Sequence, residues 1–390
     1  MKILYASYRY DPTNPDLGSS LDYECYNAFM REGHKVEVVG PLSAPTNIFE
    51  RIEIKLWQVY KRIIGKSGLK FPIATAIRAS KMLRQAVQKT NPDVIFSVFP
   101  PFFVFGRSPV PCVWYLDTTF LGQENEWPLY GKLALKLSIW EEKKAFNYVQ
   151  KIITMSEWLK QEIIDDYGID SKKIKIAPLA ATLPKSMTTF EDMSILTKIL
   201  EQPIKLLLVG RIFTRKGIDI GIDIVVQLNQ SGLPAELVVC GLNERQVESE
   251  FVKFVGPYKK SDPDQIKQYV ELYKNAHLLI HPARFEAGGI VLSEAAAFGT
   301  PSVTNNTGGL ATTVKDGVSG IVLPKGSPAS AYVSAIIELV NDPERYHLLC
   351  RTTRERYEKE LNWDVVGKQL VAILENAARE YQAGQGDHDK

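Results

Sequence analysis

Cysteine is scarce in this 390-residue chain, and its four copies, Cys25, Cys112, Cys240 and Cys350, stand far apart with no C-x-x-C spacing. That argues against a zinc knuckle and a disulfide framework, and makes reduced, buried thiols the expectation. No apolar run reaches the roughly 18 residues a membrane-crossing helix needs, and the opening MKILYAS gives way to SYRYDP too soon for a signal peptide. A cytoplasmic protein is expected, with any membrane contact peripheral, at the inner face. A G-x-G-x-x-G dinucleotide fingerprint and a G-x-x-x-x-G-K-[ST] phosphate loop are both missing, which argues against a dehydrogenase and a P-loop enzyme.

What is present describes a folded chain: 45% of residues are hydrophobic, 24% are charged and the net charge is +2. The length exceeds one ordinary core and suits two domains. Short apolar runs alternate with longer helical patterns, the sign of βα units and parallel sheets. KILYAS, KVEVVG, DVIFSVF, CVWYLD and KIITMS read as strands in the first half, and KLLLVG, AELVVCG, HLLIHP and PSVTN in the second. Each half supplies a doubly wound sheet, over residues 1–180 and 204–363. Residues 181–203 lose the periodicity and gain Pro, Ser and Thr, so they read as a linker. A terminal helix is predicted at about 364–382, after NWD, with a frayed end at AGQGDHDK. In such sheets ligands bind beyond the carboxyl ends of the strands, which points to the cleft between the two domains.

The charge is unevenly spread. Residues 51–90 hold ten basic side chains against a single acidic one, Glu53, interleaved with apolar residues as in IKLWQVYKRII. This pattern suits either a helix resting on an anionic membrane or acidic ligand, or a solvated helix face packed on a sheet. No nucleic-acid partner is expected.

Three loops carry candidate chemistry. In LLLVGRIFTRKGIDI, Arg211 and Lys216 leave a strand just before a helix starting near Gly217, a fitting place for phosphate oxygens; solvated loop cations are the plainer alternative. In RFEAGGIVLSEAAAFGTP, a helix is expected over 289–298, with Gly288 and Gly289 at its start, Glu286 before it and Glu294 inside it. The glutamates could equally be dipole partners or caps. In SYRYDPTNPDLGSSLDYECYNAF, a helix starts near Gly18, Ser19 and Ser20. His281 in LLIHPARFE reads as a structural histidine rather than a base, and Tyr258 as either a surface residue or a neighbour of a bound nucleobase.

Taken together, the Gly18 loop, SEW at 156–158, VGRIFTRKG, the E-x7-E pair Glu286 and Glu294, NNTGGL, KDGVSGIVLP and NWD resemble the retaining family 4 glycosyltransferases of the GT-B fold. The resemblance covers most of the chain, and GR-x4-KG with E-x7-E is specific in combination. It implies two Rossmann-like doubly wound α/β domains facing a central cleft, with the C-terminal helix returning to the first domain. It also implies a nucleotide diphosphate sugar, a UDP-sugar such as UDP-glucose by family frequency, as donor and a glycan or lipid-linked acceptor, in polysaccharide or glycoconjugate synthesis. By that likeness Arg211 and Lys216 neutralise the diphosphate, Glu294 binds the ribose hydroxyls and Glu286 faces the transferred sugar. Amides around Gly288, Gly289, Ile290 and Val291 would meet the sugar or phosphate, and Gly18 and Ser19 would close from the first domain. No cofactor and no metal are implied.

Two positions depart from the family pattern: Gly18-Ser19 stands for the common Gly-Gly, and Leu116-Asp117-Thr118 stands where a His is usual. Asp117 would then either take a polar contact to a sugar or cap a turn. A catalytically silent GT-B protein remains the reading from another class, and an epimerase or phosphorylase a third, disfavoured by the paired motifs.

Overall fold

The computed structural model describes residues 1–42, 44–106, 108–190, 198–242 and 249–386. The chain divides into two compact units, one of residues 1–177 and 367–390, the other of 178–366. Each is built on a six-stranded parallel sheet.

The first sheet contains β1 (Lys2–Ala6), β2 (Lys35–Val39), β3 (Val94–Ser97), β4 (Cys112–Leu116), β5 (Lys151–Thr154) and β6 (Ile174–Ile176), in the order β2-β1-β3-β4-β5-β6. Alternation along its strands separates two packed faces. Leu4, Ala6, Ile95, Trp114 and Ile152 share one core cluster. Tyr5, Phe96 and Tyr115 point the other way, in a ring chain with centroids 5.3 and 6.3 Å apart. Burial of both faces is what a continuous apolar run such as CVWYL requires.

The second sheet contains β7 (Ile204–Val209), β8 (Ala235–Cys240), β9 (Val252–Val255), β10 (Leu278–His281), β11 (Ser302–Asn305) and β12 (Gly320–Leu323), in the order β12-β11-β10-β7-β8-β9. Leu207, Val209 and Leu279 face a core completed by helices Pro263–Asn275 and Ile290–Ala296. Leu206, Leu208, Leu278 and Ile280 face one completed by Ile218–Gln230 and Ala329–Val340. The strand order reverses between β7 and β10, so the helices that follow these two adjacent strands pack on opposite faces of the sheet, and the carboxyl ends of the strands are where ligands bind in such folds.

Nine strands correspond to the apolar runs read in the sequence. The three that do not, β6, β9 and β12, are short; β6 and β9 end their sheets on one side and β12 on the other. All four cysteines are buried and unpaired.

The boundary corrects the linker expected at 181–203. Ala181 and Leu183 are packed in the second unit's core, where their burial outweighs the polar composition around them. Residues 191–197 of that stretch lie outside the described residues. The terminal helix runs over Trp363–Gly386, longer than expected, and Asn362 caps it by accepting from the Asp364 and Val365 amides at 3.0 and 3.1 Å. From Gly367 onward it belongs to the first unit, with Gly367 set against Ala28. The last four residues lie outside the described ones.

Candidate functional site

In the second unit, the loop leaving β7 and the loop leaving β10 meet at the point where the strand order reverses. The first carries Arg211, Arg215 and Lys216; the second carries Arg284 and Glu286. The loops are tied by the Arg284 amide on the Arg215 carbonyl at 2.9 Å and by the forked pair of Arg284 with Asp219, at 2.8 and 2.5 Å. Gly217 makes the close approach possible. Its φ is +66°, and a Cβ there would stand 2.0 Å from the Pro282 carbonyl oxygen.

Lys216 Nζ donates to Glu286 Oε2, and Arg215 Nη1 lies 3.3 Å from the same oxygen. Lys216 and Glu286 side chains are only 11% and 13% exposed, so water screens the pair little. Burial alone would raise the Glu286 carboxyl, but the Lys216 ammonium, helped by Arg215, outweighs it and holds the group well below the usual carboxylate range. Glu286 is therefore a fixed anion at neutral pH. Its carbonyl accepts from the Gly309 amide at 3.1 Å, which gives NNTGGL a positioning role. His281, fully buried at the end of β10, has Nε2 3.8 Å from Glu286 Oε2, too long for a hydrogen bond. Among the described residues its ring nitrogens have no hydrogen-bond partner, and burial lowers its pKa.

Arg211 is exposed beyond β7. With Gly241 after β8 and Pro257, Tyr258, Lys259 and Gln265 after β9, it lines a cavity of about 300 Å³. Tyr258 lines the same cavity as Arg211.

Glu294 lies within the helix Ile290–Ala296, which is shorter than the expected 289–298. Its side chain is fully buried and both oxygens are engaged. Lys260 Nζ and Thr182 Oγ1 donate to Oε1 at 2.7 and 3.1 Å, and the Tyr269 and Tyr273 hydroxyls to Oε2 at 2.7 Å each. Burial would raise this carboxyl too, but Lys260 and the two tyrosines more than offset it. A ligand reaching Glu294 must first draw Lys260 or Thr182 away. Gly289, with φ +67°, forms the helix start, and Gly288 is buried against Leu179. Ile290 is partly exposed, whereas the Val291 side chain belongs to the core, leaving only its backbone for a ligand.

In the first unit, Gly18 opens a single 3-10 turn, Gly18–Ser20, before the helix Leu21–Arg31. The Ser19 side chain lies outside the described residues. Asp117 follows β4 in a cleft lined by Phe71, Trp114, Phe120 and Glu142, beside Lys70, whose ammonium stands 5.6 Å from the Phe120 ring centroid. The following helix, Phe120–Glu126, is capped by Thr119, which accepts from the Gly122 amide at 3.0 Å. SEW reads the same way, with Ser156 capping Glu157–Tyr167.

Among the described residues no group of three or more His, Cys, Asp or Glu is placed to hold a metal ion. Asp262-Pro263-Asp264 has D-x-D spacing, but Asp262 caps the helix Pro263–Asn275, accepting from the Asp264 and Gln265 amides. A second such triplet, at 387–389, lies outside the described residues.

Two family models match in tandem: "Glycosyltransferase Family 4" over residues 23–181 and "Glycosyl transferases group 1" over 191–356, together most of the chain. The chain belongs to the family 4 glycosyltransferases. This glycosyltransferase is 22% identical over 288 residues to the alpha-D-kanosaminyltransferase of Streptomyces kanamyceticus, covering 71% of this chain and 73% of that protein. Its fold matches sucrose-phosphate synthase of Thermosynechococcus elongatus, with a TM-score of 0.69 and 17% identity over 96% of this chain and 98% of the other. It also matches Alr3699/HepE of Anabaena, solved in complex with UDP-glucose, with a TM-score of 0.62 and 15% identity over 96% and 100%. The two parallel six-stranded units are those of the GT-B fold.

The candidate site brings in residues not selected from the sequence, among them Arg215, Lys260, Thr182 and His281. Arg215 sits inside GR-x4-KG and was within reach of that motif. Lys260 and Thr182 come from segments remote in sequence, and nothing local to them announces a shared carboxylate.

Proposed function

We propose that this glycosyltransferase moves a hexose from a nucleotide diphosphate sugar, a UDP-sugar such as UDP-glucose, to a glycan or lipid-linked acceptor, with retention of anomeric configuration and without a metal. The observation that carries the reading is the meeting of Lys216 with Glu286 where the second sheet reverses its order, beside the cavity edged by Arg211 and Tyr258. The solved complex of Alr3699/HepE with UDP-glucose favours uridine for the base.

In this reading Tyr258 borders the nucleobase, Arg211 and Lys216 meet the diphosphate, and Glu286 faces the sugar hydroxyls. An ammonium carries three donors, so Lys216 can hold Glu286 and a phosphate oxygen together. As the bond from the anomeric carbon to the phosphate oxygen breaks, its electron pair leaves with the nucleoside diphosphate, and the fixed cations stabilise that charge. The acceptor hydroxyl attacks from the same face, and its proton passes to the departing phosphate oxygen. Glu286 positions the sugar and keeps Lys216 aimed. The amides of Gly288 to Val291 are assigned to the donor.

The test is incubation with UDP-glucose and other UDP-hexoses in the presence of glycan and lipid-linked acceptors, with the product's anomeric proton coupling read by NMR. An α-linked product from an α-linked donor supports the proposal. Inversion, or turnover only with added divalent metal, contradicts it.

A further inference from the structure

The helix Ile48–Ile64 in the first unit is set into the fold with its acidic side inward. Glu50 is fully buried, accepts from the Thr46 amide at 2.7 Å and pairs with Arg78 Nε at 2.6 Å. Glu53 accepts from the Ile73 and Ala74 amides, each at 2.8 Å, and so satisfies the start of the next helix. Trp57, on the same side, packs against Gly68 and meets the Tyr60 ring at 5.2 Å. These contacts fix the rotation of the helix about its axis.

The consequence is an apolar stripe turned outward. Phe49, Ile52, Leu56, Val59 and Ile63 follow one another at alternating spacings of three and four, which places them on one face. They are between 49% and 74% exposed, an unusual fate for five large apolar side chains in line. Arg51, Lys55 and Arg62, all exposed, form a row along one flank of the stripe. The neighbouring helix Ile73–Thr90 is different. Its Ala76, Ala79, Leu83 and Val87 are buried, and its Arg78 is spent on Glu50.

We propose that the helix Ile48–Ile64 docks this enzyme on an anionic lipid bilayer, with the stripe among the upper acyl chains and the basic row at the headgroups. This narrows the expectation for residues 51–90 to one helix and gives it an orientation. Charge decides the occupant. A second copy laid antiparallel on the stripe would bring the same cations to the same flank and be repelled, whereas anionic headgroups are complementary to the row. The inference stands apart from the donor reading, since it uses no residue of the second unit.

The experiment is flotation of the full chain with vesicles of phosphatidylcholine alone, or of equimolar phosphatidylcholine and phosphatidylglycerol, at low and high salt. The wild type should float with the anionic vesicles, less so in high salt. Leu56→Ser with Ile63→Ser should lower the partition coefficient on the order of tenfold or more. Arg51→Glu, Lys55→Glu and Arg62→Glu together should remove the preference for anionic vesicles. Both variants should keep the wild-type melting temperature, because the altered side chains are exposed. Equal flotation with both vesicles, no flotation with either, or wild-type flotation of the serine variant would overturn the proposal. So would a wild-type dimer, seen by sedimentation, that the serine variant dissolves without any lipid binding.

Discussion

Replacing Lys216 with alanine separates a structural ion pair from a site that stabilises departing charge. The Lys216 and Glu286 side chains are 11% and 13% exposed, so the substitution leaves a nearly dry carboxylate without its main partner. Breaking a buried pair this way costs about 3–5 kcal/mol. Arg215, 3.3 Å from Glu286, remains beside it and softens the loss, which places the expected drop in stability nearer about 2–3 kcal/mol. The turnover effect should be separate and large: removing a donor aimed at developing negative charge costs about 10²–10³ in kcat. The assay is steady-state transfer with the nucleotide sugar the wild type accepts, beside thermal melts. The double variant Lys216→Met with Glu286→Gln supplies the control. It removes both charges at once, so it should recover much of the melting temperature and none of the turnover. A Lys216→Ala enzyme within a few-fold of wild-type kcat would refute the assignment of Lys216 to the diphosphate.

Glu294→Gln should lower stability by about 1–3 kcal/mol in a denaturant melt, because Lys260 loses its anion and an amide N–H₂ replaces one acceptor among four donors; an unchanged midpoint would contradict the buried network. Its donor KM should rise more than kcat falls, as for ribose binding alike in ground and transition states. Gly217→Ala should cost about 1–3 kcal/mol and reduce turnover, since the added Cβ meets the Pro282 carbonyl and pushes the Arg211 to Lys216 loop off β10. Stability should fall as pH rises from about 5 to 9: burial pushes Glu141, Glu142 and Glu162 up to about 9, 8 and 7, so the unfolded chain ionises them while the fold keeps them protonated. Glu141→Gln should flatten that slope in melts across pH. Below the ordinary carboxylate range the sign reverses, because Glu286 and Glu294 are held low and lose their contribution as they protonate.

The sequence carried the alternation of nine strands because parallel strands buried on both faces leave unbroken apolar runs, as in KLLLV. The edge strands β6, β9 and β12 escaped because three or four residues with one covered side leave too little pattern. Arg211, Lys216 and Glu286 were legible as loop residues at strand ends, and strand order then brings the last two together. Glu294 was legible as a residue but not in its surroundings: its partners Thr182, Lys260, Tyr269 and Tyr273 are joined only by folding. The basic stretch at 51–90 was visible as composition. Which face of the helix Ile48–Ile64 turns outward depends on Glu50 finding Arg78 and Glu53 finding the next helix, and both are tertiary contacts.

The central claim is that the Arg211, Lys216 and Glu286 loops hold a nucleotide sugar. It is tested most directly by thermal shift with UDP, GDP, ADP and their hexose conjugates, since a ligand bound only by the native state raises the melting temperature. UDP should raise the melting temperature and a UDP-hexose should raise it further, and Arg211→Ala should strongly reduce both shifts. The absence of any shift with every nucleotide, or a shift that Arg211→Ala leaves intact, would contradict it.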